Sequence, residues 1–543
     1  MRILRFALLG ALLSGVALGQ PSVAGGSTGV AATNHPMATF VAMEVLLEGG
    51  NAVDAAVAAA ATLGVAEPYL SGLGGDGFML VYWAQDDEVY ALDFSGRAPA
   101  GLDTLEGGMI PFEGPNSVAV PGAAAGWHAA LERFGTLPVE QILEPAASLA
   151  QEGFPASAYA ADAMSWAAAQ FLDWEEMGAL AWWDGEFFPP GVGDTIRNER
   201  LAQTYRSLAE NGLLSFYDGE IAAEIVDTVQ RLGGVLTAED LMGIEARWVE
   251  PISVGYRGYE VFAPPLNSTG GLATLQALRI LEGFELGSLE PESAEWLHLL
   301  IESAKLAAAD RAVWGGDPEF LAEEIPYGRL LSSGHADELR AKIDPQRSQH
   351  PGEIGENQQG TSHISIADRH GNLVSMTLSI GAGWGSGFVA GETGVVLNNS
   401  LSLFDASGES AARLEPGKRV PWNMSPLIIY DGDTPWMAIG TPGGTGIWQT
   451  LPQVISRIVD HDQPVDEAVI APRFRWNLSS VRVNIEERFP EPTLATLEEM
   501  GHEVSRVLEF AELMGAVTAV YVDDDGRLQG VADPRREGYV IGW

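Results

Sequence analysis

From Gly360 to Ser379 the chain alternates. Ser362, Ile364 and Ile366 fall on one side of an extended segment, Thr361, His363 and Ser365 on the other, and Leu373 to Ser379 alternates again. Between the two runs, Asp368-Arg369-His370-Gly371-Asn372 suits a three-residue turn with Gly371 in the left-handed conformation. The pattern predicts a β-hairpin in which Asp368 faces Asn372. Counting back along both strands places Thr361 opposite Ser379, beside His363 and Thr377. Facing hydroxyls on a strand surface most often do no more than bond to each other across the ladder.

An Ala-rich helical pattern runs from Pro36 to Leu47, breaks at Gly49-Gly50, restarts at an Asn51 cap and continues to about Val65. Ser71-Gly72-Leu73-Gly74-Gly75-Asp76-Gly77 follows, then the apolar strand Phe78 to Tyr82. These glycines match G-x-G-x-x-G, but a dinucleotide site needs strand, glycines, helix, and the order here is helix, glycines, strand. The glycines instead mark a place where backbone approaches something closely. Residues 85–97 read as a second strand, 117–240 as mostly helical, Ile252 to Phe262 as strands and 271–345 as helical. Ser348 to Gly360 is a polar loop, the best candidate for an exposed or cleavable connection. Strands are expected near 394–398, 425–430 and 436–440, and a helix near 447–458. Strands concentrate after residue 360 and helices before it, which suits a layered α+β sandwich with helices outside.

Arg2 and Arg5 precede an apolar run from Phe6 to Leu18, and Ala17-Leu18-Gly19 offers a small-residue cleavage site. Residues 1–20 are therefore expected to be a signal peptide and the protein to be secreted or periplasmic. The run is too short to span a bilayer, and no membrane span is expected after its removal. Residues 21–35, rich in Gly, Ser and Ala, are expected to be a linker. Across all 543 residues there is no cysteine, which excludes disulfides and thiolate chemistry. A formal net charge of −44 argues against a nucleic-acid or anionic-membrane partner. Lysine occurs only at Lys305, Lys342 and Lys418, a balance found on surfaces that stay soluble at high salt.

The nine histidines contain no H-E-x-x-H, and the pattern points to no metal and no cofactor. A serine-hydrolase elbow occurs once, at Gly25-Gly26-Ser27-Thr28-Gly29, where no strand is expected before it. What remains is a hydroxyl that carries its own base. Cleavage of the Gly360–Thr361 bond would give Thr361 a free α-amino group, with a pKa near 8, able to take the proton of its own Oγ. The backbone N–H groups of Gly443 and Gly444 are candidates to hold the oxyanion.

Motifs spread along the chain carry a resemblance. They include Glu48-Gly49-Gly50-Asn51-Ala52-Val53-Asp54, Gly74-Gly75-Asp76-Gly77-Phe78-Met79, Tyr256-Arg257-Gly258-Tyr259 and Ser268-Thr269-Gly270-Gly271. Further on come Asp310-Arg311, Gly391-Glu392-Thr393-Gly394, Met424-Ser425-Pro426, Thr441-Pro442-Gly443-Gly444 and Ala532-Asp533-Pro534-Arg535. In these the chain resembles the γ-glutamyltranspeptidase family of N-terminal-nucleophile hydrolases. The resemblance implies a four-layer αββα fold and self-cleavage before Thr361 into a large subunit (36–360 after the linker) and a small one (361–543) that stay associated. Thr361 would be nucleophile, its amine the base, Ser379 its supporting hydroxyl, and Gly443 with Gly444 the oxyanion hole.

The acyl-binding positions depart from the family. Where γ-glutamyl enzymes grip the α-carboxylate with an Arg and a Ser-Ser pair, this chain has Ser95, with Arg97 two residues on, and Trp422-Asn423. The family's ammonium-binding positions correspond to Gly381, Ser400 and Leu403, so an acidic countercharge is missing. Arg97, Ser400, Trp422 and Asn423 are the candidate substrate contacts: Arg97 as a carboxylate fork, Trp422 as either a pocket wall or a core residue. The segment Phe404 to Lys418 looks short for a lid. The expected function is a self-processing amidohydrolase or acyltransferase that acts on a small amide with water or an amine as acceptor. The acyl group is γ-glutamyl, as in glutathione, or another acyl as in oxamate- and cephalosporin-acylase-like members. A catalytically silent binding scaffold is the remaining alternative.

Overall fold

In the computed structural model two antiparallel seven-stranded sheets stack face to face, with helices covering both outer faces. The structure describes residues 19–104, 110–170, 189–350, 360–405, 410–478 and 481–543. Most of the expected signal segment and residues 351–359 of the polar loop therefore lie outside the described residues. The strands are β1 (Ser22–Gly26), β2 (Gly29–Thr33), β3 (Asp76–Trp83), β4 (Glu88–Asp93), β5 (Phe154–Pro155), β6 (Thr195–Ile196), β7 (Arg247–Val249), β8 (Ile252–Tyr256), β9 (Tyr259–Ala263), β10 (Gly360–Asp368), β11 (Leu373–Gly381), β12 (Leu427–Asp431), β13 (Thr434–Gly440), β14 (Phe474–Trp476), β15 (Arg482–Glu486), β16 (Glu503–Val507), β17 (Thr518–Val522), β18 (Leu528–Ala532) and β19 (Tyr539–Gly542). One sheet runs β1-β18-β17-β13-β12-β9-β8, the other β19-β2-β10-β11-β3-β4-β7.

The alternation of the strands makes the layers. Ile364, Ile366, Val374, Met376, Met79 and Val81 leave one face of the second sheet and pack under the helices Pro36–Leu47, Ala52–Ala66 and Ala123–Phe134. Val261, Leu427, Ile429, Met437 and Ile439 leave the far face of the first sheet and pack under Thr269–Leu281, Ala294–Trp314 and Ile447–His461. Between the sheets, Val30, Leu80, Tyr82, Ala367, Leu373, Ile428, Ala438 and Val520 form the middle layer. Three apolar layers separated by two sheets make the four-layer αββα sandwich.

The helix reading holds at Pro36–Leu47 and at Ala52–Ala66, where Asn51 and Asp54 form a capping box. Two expectations are corrected. Residues 21–35 are not a linker: β1 and β2 pair with β18 in one sheet and with β10 and β19 in the other. Their small residues fit between packed sheets, so a composition that reads as flexible is here a tight crossing. The Ser27 and Thr28 N–H groups in that crossing both donate to the Trp543 carbonyl. Residues 394–398 form no strand, only an isolated Val389–Val396 bridge, because the backbone and side chain of Asn398 both bond to the Gly74 carbonyl. Strands do concentrate after residue 360 and helices before it, while β2, β3, β4 and β7 share a sheet with β10, β11 and β19.

Candidate active site

The hairpin of β10 and β11 turns as expected. Gly371 takes φ +86°, and Asp368 accepts from the N–H groups of His370 (2.8 Å) and Asn372 (3.1 Å). The other carboxylate oxygen of Asp368 accepts from Ala52 N–H at 2.9 Å, fixing the turn to a helix N-terminus. His363 faces Thr377 and Ala367 faces Leu373, the anticipated register. That register ends at Ser362, and Gly360 pairs with Gly381, so Thr361 sits in a one-residue irregularity rather than squarely opposite Ser379. The Ser379 side chain is the cause. Its Oγ donates to the Gly360 carbonyl and accepts the Gly381 N–H (2.8 Å), taking the place of ladder bonds.

Along the middle-layer face the hairpin changes character. Ala367 and Leu373 are apolar, Ser365 and Ser375 follow, then His363 and Thr377, then Thr361 with Ser379. His363 is fully buried, its Nδ1 against Thr377 Oγ1 (2.8 Å) and its Nε2 against Ser365 Oγ (3.1 Å). Burial pushes its pKa down to about 3, so the imidazole stays neutral. Thr361 is 0% exposed, and its Oγ1 has no hydrogen-bond partner among the described residues. Its carbonyl accepts from Arg536 Nη1 at 2.6 Å.

Gly443 and Gly444 sit just past the end of β13 with φ of +132° and +59°, conformations that glycine adopts without strain. Neither N–H has an acceptor among the described residues. This loop is tied to the nucleophile strand. His363 N–H donates to Asn34 Oδ1 (2.6 Å), Asn34 Nδ2 donates to the Ala516 carbonyl (3.0 Å), and Ala516 N–H donates to Thr441 Oγ1 (2.9 Å). Gly440 packs so tightly on His363 that a Cβ there would lie 2.1 Å from the ring.

The glycine loop 72–77 packs against β11. A Cβ on Gly75 would lie 2.2 Å from the Ser379 carbonyl, and one on Gly74 would lie 2.0 Å from the Val396 carbonyl. The close approach read from the glycines is therefore to backbone of the C-terminal part, beside Ser379. It also delivers Asp76, which pairs with Ser379 across the ladder. Asp76 is buried and accepts from Gly122 N–H (3.0 Å) and Ser400 Oγ (3.0 Å). Burial raises its carboxyl to about 8, with the hydrogen bonds only partly opposing.

The acyl-side candidates are less convergent. Ser95 is buried between Asp93 Oδ1 (2.6 Å) and Asn267 Nδ2 (2.8 Å). Arg97 has a 27% exposed side chain directed at the Gly417 carbonyl (3.3 Å) and Glu319 (3.5 Å). Trp422 is fully buried with Phe78, Leu401, Leu403, Phe404 and Met424. Asn423 Oδ1 accepts from Arg311 Nη2 at 2.5 Å, and Arg311 also donates to Thr269 Oγ1 at 3.0 Å. At Gly381 the room for a side chain is taken by Asn399 Oδ1, which accepts the Ala382 N–H at 2.8 Å. Phe78 joins the two regions, being apolar-cluster member and neighbour of Thr377.

Residue-type reasoning missed Asn34, Glu67, Asp76, Arg311 and Arg536. Asp76 had a legible signal: it is two residues before Phe78 on one strand, and so shares its face. Asn34 was hidden by the linker composition. A buried group of His298 and Glu302 on the helix Ala294–Trp314 and His502 just before β16 was also unforeseen, with ligand atoms within 4.8 Å of one another. There the two imidazoles bond to each other at 2.8 Å, and Lys305 Nζ already occupies Glu302 at 2.7 Å.

The four-layer αββα sandwich is the architecture of the N-terminal-nucleophile hydrolases. The family model for γ-glutamyltranspeptidase matches residues 38–543, and the chain belongs to that family. It is 35% identical to the glutathione hydrolase proenzyme of Escherichia coli (strain K12), covering 93% of this chain and 90% of that protein. It is equally 35% identical to the acylase ACY 1 proenzyme of Pseudomonas sp. (strain V22), covering 94% and 93%. Among solved structures, cephalosporin acylase from Bacillus halodurans superposes with a TM-score of 0.89 at 33% identity, over 98% of both chains.

Proposed function

We propose that the protein is a secreted amide hydrolase that cuts its own Gly360–Thr361 bond and then uses Thr361 as an acyl-accepting nucleophile. The observation that carries this reading is the pairing of an unpartnered Thr361 Oγ1 with a Gly360 carbonyl held by Ser379. Attack of Oγ on the Gly360 carbonyl carbon forms an ester as the C–N bond breaks, and the hydroxyl proton goes to the departing nitrogen. Water then splits the ester, leaving a carboxylate on Gly360 and a free amine on Thr361. That amine takes the Oγ proton when the next acyl amide is attacked. Ser379 Oγ holds the oxyanion of the Gly360 carbonyl during self-cleavage, and Gly443 and Gly444 hold the one formed on the substrate. His363, two residues away, has both ring nitrogens engaged by Thr377 and Ser365 and is a weak base in its buried site, which leaves the role to the amine. The large piece (36–360) and small piece (361–543) stay interleaved, because strands from both make up each sheet. The basic, then apolar N-terminus supports export, and no helix among the described residues is long and apolar enough to cross a membrane.

For the acyl group, the buried Trp422 cluster beside Phe78 favours flat or apolar acyl amides over γ-glutamyl amides. Arg97 shares its guanidinium with Glu319 at the surface, which weakens it as a carboxylate fork. The acylase relatives support an acyl amide as substrate, and the glutathione hydrolase relatives support glutathione. Side-by-side hydrolysis of a γ-glutamyl anilide and an aromatic acyl anilide by the processed protein decides. Faster aromatic turnover supports this reading, and a γ-glutamyl preference reverses it.

A further inference from the structure

Cleavage turns the nitrogen of Thr361 from a neutral amide into a titrating amine, and only the neutral amine can act as base. Charges close to that nitrogen therefore set the pH range of the enzyme. Arg536 is a charge bonded directly to Thr361. It is nearly buried, and its Nη1 is 2.6 Å from the Thr361 carbonyl oxygen. The nitrogen and carbonyl oxygen of one residue are roughly 3 Å apart, so the guanidinium stands within about 6 Å of the future amine.

We propose that Arg536 is a positioning residue for Thr361: it holds the threonine's carbonyl through cleavage and biases the liberated amine toward its neutral form. This rests on Thr361 being the nucleophile. The position of Arg536 is over-determined. Its Nε and Nη2 bond to Glu512 Oε1 at 2.9 and 2.8 Å, and Tyr159 Oη donates to the same oxygen at 2.5 Å. Glu512 thus offsets part of the guanidinium charge and fixes its direction.

The other groups facing this corner leave Arg536 the dominant charge near neutrality. Glu67 is buried behind the strand, with Oε2 accepting from Ser362 Oγ at 2.8 Å and Oε1 unpartnered among the described residues. Burial raises it to about 8, so it is neutral at pH 7. Glu537, raised by burial, accepts from Ser157 Oγ at 2.8 Å and lies 3.8 Å from His35 Nε2. His35 and His363 are both lowered by burial and neutral, and Tyr69 and Tyr159 are raised and neutral. Asp76, on the strand beside Ser379, is likewise raised. As pH climbs past 8 the two raised carboxyls ionise and oppose Arg536.

Two substitutions on one ion pair give opposite predictions. Arg536→Gln removes a positive charge and raises the pKa of the amine by on the order of one unit. Glu512→Gln removes the offsetting negative charge and lowers it, and Arg536→Lys, which keeps the charge, stays nearer the parent. The amine is read without any substrate by competitive acetylation with acetic anhydride across pH, followed by mass analysis of the peptide that begins at Thr361. Opposed shifts for Arg536→Gln and Glu512→Gln are the expected result, since damage to the fold would not reverse sign within one pair. Shifts in the same direction, or a titration that neither change moves, would overturn the proposal. Should Arg536→Gln remain uncut, Glu512→Gln still carries the test. Absence of a peptide beginning at Thr361 in the parent would instead contradict the nucleophile assignment, a separate result.

Discussion

The hairpin end around Thr361 and the wall around Trp422 touch through Phe78, yet they are built on different terms. At the hairpin end positions on the middle-layer face are set by hydrogen bonds with fixed directions: Ser379 to the Gly360 carbonyl, Arg536 to the Thr361 carbonyl, Asn34 from His363 to the loop preceding Gly443. Around Trp422 the contacts are apolar, and shape replaces direction. A directional network fails when one donor changes, whereas an apolar wall tolerates exchange at nearly constant volume. The family motifs persist at the first region and change at the second, as expected if the reaction is kept while the acyl group varies.

Substitutions at the hairpin end are the way to break this contrast. Thr361→Ala is expected to abolish cleavage and reduce amide turnover by at least about a thousandfold, measured by single-turnover assay. Gly443→Ala places a Cβ at φ +132°, and the resulting shift of the oxyanion loop is expected to lower kcat about a hundredfold, with kcat and KM resolved separately. Ser379→Ala removes the hydroxyl on the Gly360 carbonyl and is expected to slow self-cleavage roughly ten- to a hundredfold, followed as precursor loss on a denaturing gel. On the acyl side, Ser400→Ala is expected to leave cleavage intact and alter kcat/KM among acyl amides by less than about tenfold, since it releases one bond to Asp76.

The smallest expected effect is on stability against pH. Glu67 and Asp76 have folded-state values of about 8, above their ordinary carboxyl range. The folded state therefore holds these protons more tightly than the unfolded chain. The stabilisation is full below about pH 4 and is lost as pH rises toward 8. Between pH 7 and pH 8, where His35, His363 and His502 are neutral in the folded and unfolded states alike, the Tm of Thr361→Ala precursor should fall, and adding Glu67→Gln should flatten that slope. A Tm that rises over this window would contradict the burial of both acids in neutral form.

Periodicity was enough for the hairpin, its turn and most of its register, because alternation and a left-handed glycine are local signals. It failed at Thr361 itself, where the Ser379 side chain replaces a ladder bond and shifts the pairing by one residue. It failed again at residues 21–35, whose small side chains look flexible in isolation and are instead demanded by two packed sheets. Thr361, Ser379, Gly443 and Gly444 could be proposed from residue type and motif. Arg536 and Asn34 were not: they reach the hairpin from 175 and 329 positions away, and nothing local marks such partners. Asp76 stood in a glycine motif that reads as backbone geometry, and only the pairing of β3 with β11 brings it beside Ser379.

The central claim is that Thr361 is made into a nucleophile by breakage of its own peptide bond. Intact mass and N-terminal sequencing of the purified protein test it most directly, parent beside Thr361→Ala. Two pieces are expected in the parent, the smaller beginning Thr361-Ser362-His363, and a single uncut chain in the variant. A parent that remains one chain and still hydrolyses amides would contradict it, as would a Thr361→Ala variant cut at the same bond.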